Sequence, residues 1–473
     1  MLKAQLCFAQ TPDLNRSNHW YFGQNAGLDF SSGTAVEDTN GNMTVLEGNA
    51  TISDVNGNLL FYTDGKMVWN ALHDTMMNGT GLGVSQIPTP SDGVIIIPRP
   101  GNINLYYIFT VDGYQNQWQN GLQWSEVDMT LDGGNGAITS KNNVLFSPCT
   151  EQLAATKHAN GCDYWVTAHE NNTANFKSYL VTSNGIDTVP VVSSVGTDYN
   201  IPLQFGQYNG GYNIVFTPDG SKAGVTIIYS WGSSGIPDNF ELFDFNKTTG
   251  IFSNAINIPI DTFSFICGFS PNSQLLYKEM GYLVSNMYQY DISSGIDSII
   301  INSKTLVHTG KRKLAAGYQI GADGKIYMQQ ETFVFYPVDS LSVINYPNVQ
   351  GIGCDVQERV FPLHRKTGWR LTNFVSNFVI NDSTSLCTTG IDEIKANEFT
   401  IYPSPADDFI LIRNIKNQNF ECTIYDFTAR LISRTSIGGS EITVSTKHFN
   451  NGIYLLKLYS KNLMETQKIL VQH

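Results

Sequence analysis

The chain has 473 residues, room for about three average domains or for one large repetitive β-unit with a small companion. Only 15% of the residues are charged while 12% are aromatic, which excludes a disordered chain. The net charge of −13 argues against a nucleic-acid partner, because phosphate binding needs basic surface, and no run of about 18 apolar residues could cross a bilayer as a helix.

In chain order, Met1 to Gln10 comes first and reads MLKAQLCFAQ. Lys3, the apolar Leu6-Cys7-Phe8 and the small Ala9 resemble the tail of a secretory signal, so residues 1–10 are expected to be a residual signal peptide. Beyond Cys7 lie Cys149, Cys162, Cys267, Cys354, Cys387 and Cys422. They fit no paired C-x-x-C zinc pattern. Cys149 and Cys162 flank Ala154–His158 and are a candidate hairpin-closing disulfide; Cys267 with Cys354 is a weaker alternative, and the rest read as buried thiols.

A short Asp/Asn-Gly turn followed by aromatic strand residues then recurs. The clear copies are Phe216-Thr-Pro-Asp-Gly-Ser-Lys222, Phe269-Ser-Pro-Asn-Ser-Gln274 and Ile320-Gly-Ala-Asp-Gly-Lys-Ile-Tyr327. Looser copies begin at Ile52, Ile97 and Lys157. A second signature, a strand closed by a Gly turn, ends several units: Leu242 to Gly250, Tyr288 to Gly295, and more weakly Tyr179 to Gly185 and Trp124 to Met129. Each unit reads as a four-stranded antiparallel sheet that cannot cover its own faces. Radial packing of such sheets is a β-propeller. Six turns give six units. Trp20–Phe30 and Trp369–Ile380 supply strand material for a seventh made from both ends, which would close the ring. Asn18 to Ile380 holds seven units of about 52 residues. A six-bladed ring decorated by the terminal strands is the alternative.

The FxPDG turn with its Tyr-Asp strand resembles WD-repeat-like and TolB-type propellers. The opening HWYFGQNAGLDF, with ISDVNGNLLFYTDG, MVWN and YYIFTVD, is similar to secreted propeller proteins of Bacteroidota. That resemblance spans residues 18–380 and implies fold and compartment but no catalytic residue.

Asn381 to the start of the final unit is polar and reads as a linker, 381–398. Residues 399–473 hold six or seven short alternating strands, a small Ig-like β-sandwich. Three places carry a resemblance to the type A C-terminal sorting domain of type IX secretion substrates: Tyr402-Pro-Ser-Pro-Ala, Asn451-Gly-Ile-Tyr454 with Lys457, and Lys468 in the last strand. Ser404 stands where the family usually has Asn. The resemblance implies that Tyr402, Pro403, Pro405, Gly452, Tyr454, Lys457 and Lys468 form the sorting signal. It also implies partners in the type IX machinery and its sorting protease, with delivery to the cell surface or the medium.

Candidate chemistry in the propeller is sparse. His158 and His169-Glu170 lie at opposite ends of one strand, about 35 Å apart if extended, so they form no single site. Asp54-Val-Asn-Gly-Asn58 carries oxygens at calcium-loop spacing but has Gly65 where the bidentate Glu belongs, and reads as a turn. No metal or cofactor is expected. Trp118, Trp124 and Trp231 sit in polar segments and are candidates for stacking on a glycan or protein ligand, with inter-blade packing as the alternative. No G-x-S-x-G, H-E-x-x-H or P-loop pattern occurs. The expected function is binding by an exported propeller; the alternative is a hydrolase or lyase acting on polysaccharide or peptide through carboxylates in the propeller channel.

Overall fold

The computed structural model describes residues 13–83, 93–113, 116–198, 210–228, 239–260, 264, 266–281, 284–310, 315–330, 338–380, 399–403, 405–414, 420–426, 430–437, 441–460 and 463–473. The expected signal remnant, the linker and Trp231 lie outside these residues. The chain divides into two compact units near residue 388.

The first unit is a β-propeller built as a run of antiparallel meanders. Blade 1 has three strands, His19–Phe22, Ala26–Asp29 and Val36–Glu37. Blade 2 spans Ala50–Ser53 to Thr75–Thr80, blade 3 Val94–Pro98 to Ala137–Phe146, and blade 4 Cys149–Lys157 to Val191–Ser194. Blade 5 spans Gly210–Phe216 to Ile251–Asn257, blade 6 Cys267–Phe269 to Thr305–Gly310, and blade 7 Ala315–Ile320 to Val356–Pro362. In each blade the strand order follows the sequence order, as short turns dictate.

All six sequence-derived turns join the first and second strands of a blade, with one hydrogen-bond pattern. In blade 5 the Thr217 N–H donates to Lys222 O at 2.9 Å and the Gly220 N–H to Thr217 O at 2.8 Å. In blade 2 the same pair is Asp54 to Asn58 O and Gly57 to Asp54 O, at 2.8 and 3.0 Å. Gly220 has φ +72°, a value that costs glycine nothing. The carboxylate of Asp54 accepts Asn56 N–H, Asn58 N–H and Asn58 Nδ2 within 2.9 Å, so its oxygens are used by the turn itself. The second signature lies on the third strand of its blade each time, for example Asn239–Asn246 and Ser285–Asp291.

Burial explains the strand compositions. Val94–Pro98 (VIIIP) and Ser340–Ile344 are buried on both faces, because neighbouring blades cover them. The fourth strands Thr75–Thr80 and Ile251–Asn257 bury only two residues each, Met76 and Gly79 in one and Phe252 and Ile256 in the other.

Blade 1 closes the ring between blades 7 and 2. Trp20 and Phe30 pack edge-on against Tyr327 of blade 7, at 5.8 and 5.6 Å. On its other face Tyr21 packs on Tyr62 of blade 2 at 4.4 Å. Seven blades therefore form the ring among the described residues, blades 2 and 3 being joined into one eight-stranded sheet by a parallel bridge between Met77 and Ala137, but the seventh is not assembled as expected. Trp369–Ile380 is no closing strand. It is irregular chain ending in a 3₁₀ turn, Ser376–Val379, and its course is described below.

The second unit holds two sheets over one core. Phe399–Tyr402, Phe409–Asn414 and Glu441–Ser445 form the first. Leu431–Ile437, Phe420–Asp426, Gly452–Ser460 and Leu463–Val471 form the second, in that order. Ile410 and Ile412 of one face Ile424, Tyr454, Leu456 and Leu458 of the other.

Candidate functional site

The centre of a propeller is where the first strands of all blades converge. Here it is occupied by the chain's own segment 366–380. Lys366 O accepts the Gln24 N–H of blade 1 at 2.8 Å. The Asn373 N–H donates to Asn49 O beside blade 2 at 2.9 Å, and its Nδ2 to Val94 O of blade 3 at 3.1 Å. Gln319 of blade 7 donates to Thr372 O at 2.7 Å. Asn377 bridges blades 4 and 5: its Oδ1 accepts Thr156 Oγ1 at 2.9 Å and Lys157 N–H at 2.8 Å, while its Nδ2 donates to Pro218 O at 2.9 Å. Ser17 Oγ then donates to Phe378 O at 2.9 Å, tying the two ends of the propeller together.

The segment needs this many partners because an irregular chain carries backbone polar groups that no strand ladder satisfies. Thr367, Arg370, Thr372, Val375, Asn377 and Phe378 are all buried. Two glycines admit it. A Cβ on Gly23 would sit 2.4 Å from Gly368 N, and one on Gly317 3.1 Å from Leu371 N.

A cavity of about 90 Å³ remains between this plug and the inner strands of blades 4 to 7. Asn213, Phe216, Cys267, Tyr318, Gln319 and Arg370 are among its walls. Among the described residues none that lines it is acidic, and Arg370 is the charged one. A channel site built on paired carboxylates is therefore absent from the described lining.

The sequence-derived candidates fall elsewhere. Trp118 is buried in the connection between the second and third strands of blade 3, so it presents no open face for stacking. Trp124 is half-buried on the third strand of blade 3 and packs edge-on against Tyr107 of the adjacent second strand at 5.5 Å, a contact within the blade rather than between blades. The Cys149–Cys162 disulfide is corrected: Cys149 is a free, buried thiol. It pairs in register with Glu170 at one end of the hairpin, whereas Cys162 lies in the turn at the other end, about 25 Å away at strand rise. Cys162 is disulfide-bonded to a cysteine other than Cys149. Cys267 and Cys354, the weaker pair, are not joined by a disulfide.

His158 and His169 do lie apart. His158 Nε2 sits 3.1 Å from Thr248 O, docking the blade 4 turn on blade 5. His169 is fully buried, edge-on to Phe176 at 4.7 Å, and burial pushes its pKa down to about 3 although Glu170 next to it acts in the opposite sense. Glu170 itself pairs with Lys177 at 2.7 Å.

The plug was missed because its composition, Trp-Arg-Leu-Thr-Asn-Phe-Val, reads as a strand. The signal that could have found it is its two asparagines, Asn373 and Asn377, since Asn is depleted in strands.

In the second unit the sorting-signal positions divide by orientation. Tyr454 points into the core, with its hydroxyl on Asn450 O at 2.9 Å and its ring 4.9 Å from Phe449. Tyr402, Pro403 and Pro405 are exposed. Lys457 Nζ lies over the Tyr425 ring at 5.4 Å. The backbone of Lys468 pairs with Leu455.

Residues 400–472 match the secretion system C-terminal sorting domain family. No curated protein matches the chain. Among solved structures it is similar to PorZ, an essential surface component of the type-IX secretion system of Porphyromonas gingivalis, at 14% identity and TM-score 0.36. The match covers 97% of this chain but only 60% of PorZ. Kuenenia stuttgartiensis hydrazine synthase matches at 8% identity and TM-score 0.38, over 92% of this chain and 99% of that one. Likeness at these scores carries no argument. The family match does: the second unit is a type IX sorting domain, and the protein is delivered to the cell surface or secreted. No helix among the described residues is long and apolar enough to cross a membrane.

Proposed function

We propose that this protein is a surface-delivered binding protein: a β-propeller that engages a glycan or protein ligand, carried out by a sorting domain that the type IX sorting protease then removes. The observation that carries the reading is the plug. Segment 366–380 fills the propeller axis with chain that bonds to six of the blades, and the remaining cavity has no acidic residue among its described walls. That lining favours ligand contact at a face of the ring over a carboxylate site in the channel.

The two faces differ. On one, the first-to-second-strand turns interlock with neighbouring blades, as Asp219 N–H on Ser273 Oγ (3.0 Å) and Asn272 N–H on Asn348 Oδ1 (3.0 Å). The strand ends that carry the long connections point to the other face, and long loops on a rigid scaffold are the usual place of recognition. Trp231, between Lys222–Ile228 and Asn239–Asn246, belongs to such a connection and is the stacking residue this reading assigns.

Glycan and peptide arrays probed with the full chain test it. Saturable binding that Trp231→Ala abolishes is the expected result. Turnover of the bound ligand would favour the hydrolase, and no binding to either array would overturn a glycan or peptide ligand.

A further inference from the structure

The sorting signal of the second unit is read by other molecules, yet two of its positions cannot be read directly. Tyr454 is buried, and Gly452 offers no side chain. What the same strands turn outward is different. On the four-stranded sheet, register places Leu431 opposite Tyr425 and Tyr425 opposite Leu455. Ile453, two residues along the strand from Leu455, lies opposite Leu470. Side chains two apart share a face, so these five form one apolar field crossing all four strands.

Its members are open to solvent: Leu431 is 50% exposed, Ile453 42%, Leu455 40% and Leu470 39%. Their chain neighbours Tyr454 and Leu456 fill the core, as strand alternation requires. Four large aliphatic groups left side by side in water mark an interaction surface rather than scattered exposure. The field carries one described basic group, the Lys457 ammonium, which sits over Tyr425. Arg434, by contrast, is already paired with Glu421.

We propose that this outer face, and not the inward consensus positions, is where the type IX machinery docks, through a partner surface that is apolar and flanked by acidic groups. The inference rests on the sorting-domain identity of the unit. Tyr454 then acts as a positioning residue that holds its strand against the core so that Ile453 and Leu455 face out.

The test is export of the full chain from a bacterium with a type IX system, read by immunoblot of periplasmic and extracellular fractions. The triple variant Ile453→Ser, Leu455→Ser, Leu470→Ser is expected to cut extracellular protein on the order of tenfold, with periplasmic accumulation and an unchanged thermal melt. Lys457→Glu is expected to lower export in the same direction. Phe409→Ser, 48% exposed on the other sheet, should export as the parent does. If the triple variant melts early, the single variants Ile453→Ser and Leu455→Ser carry the same readout. Parental export of the triple variant and of both singles overturns the proposal, as does an equal loss from Phe409→Ser. Deletion of residues 399–473 is the separate control: normal export of that chain would instead remove the sorting reading itself.

Discussion

At the scale of single residues, two buried side chains carry most of what can be measured in the propeller. Asn377 uses both ends of its amide to join blades 4 and 5. Asn377→Leu leaves the Lys157 N–H and the Pro218 carbonyl buried without it, and should cost about 3 kcal/mol in denaturant unfolding. His169 sets an acid sensitivity. Its pKa is lowered from 6.5 to about 3 in the fold, chiefly by burial, so the unfolded chain takes up a proton first. The contribution is fully present above pH 6.5 and is lost as pH falls from there toward 3. Between pH 6.5 and 5 the loss is about 2 kcal/mol, and His169→Leu should flatten that slope whatever its own baseline stability.

At the scale of elements, the plug is the unusual one. It has no ladder of its own and is held by amides and hydroxyls from around the ring, so any change that lifts one end should loosen the whole segment. Gly23 has φ +61° and no room for a Cβ against Gly368 and Thr367. Gly23→Ala should destabilise the chain by more than about 1 kcal/mol and speed hydrogen exchange at the amide of Asn373. Gly33→Ala is the matched control. Gly33 has φ +84° with open space around it, so strain alone costs about 1 kcal/mol there and exchange in the plug should not change. The turns between first and second strands behave differently. Their hydrogen bonds are local, which is why a short motif is enough to write them.

At the scale of the whole molecule, the propeller and the sorting domain each enclose their own core. A chain ending at residue 398 keeps the plug, so its propeller should melt as it does in the full protein while remaining in the periplasm; fractionation and calorimetry on the same preparation check both halves. Local chemistry is written in the chain itself. The six turns, the strands that follow them and the tail's Tyr-Pro-x-Pro and Gly-x-Tyr motifs each need only a few neighbouring residues, so they are legible in order along the chain. Features that depend on residues far apart emerge only in the folded chain. Blade 1 stands complete from the N-terminal strands, Trp369–Ile380 becomes a plug rather than a strand, and Cys149 and Cys162 end up at opposite ends of a hairpin. Trp118 and Trp124 read as wet-loop residues, yet one is buried and the other packs on Tyr107. The reason is common to all of these. Whether a polar or aromatic group faces water is set by which distant strands cover it, and covering surfaces are not written in the local sequence.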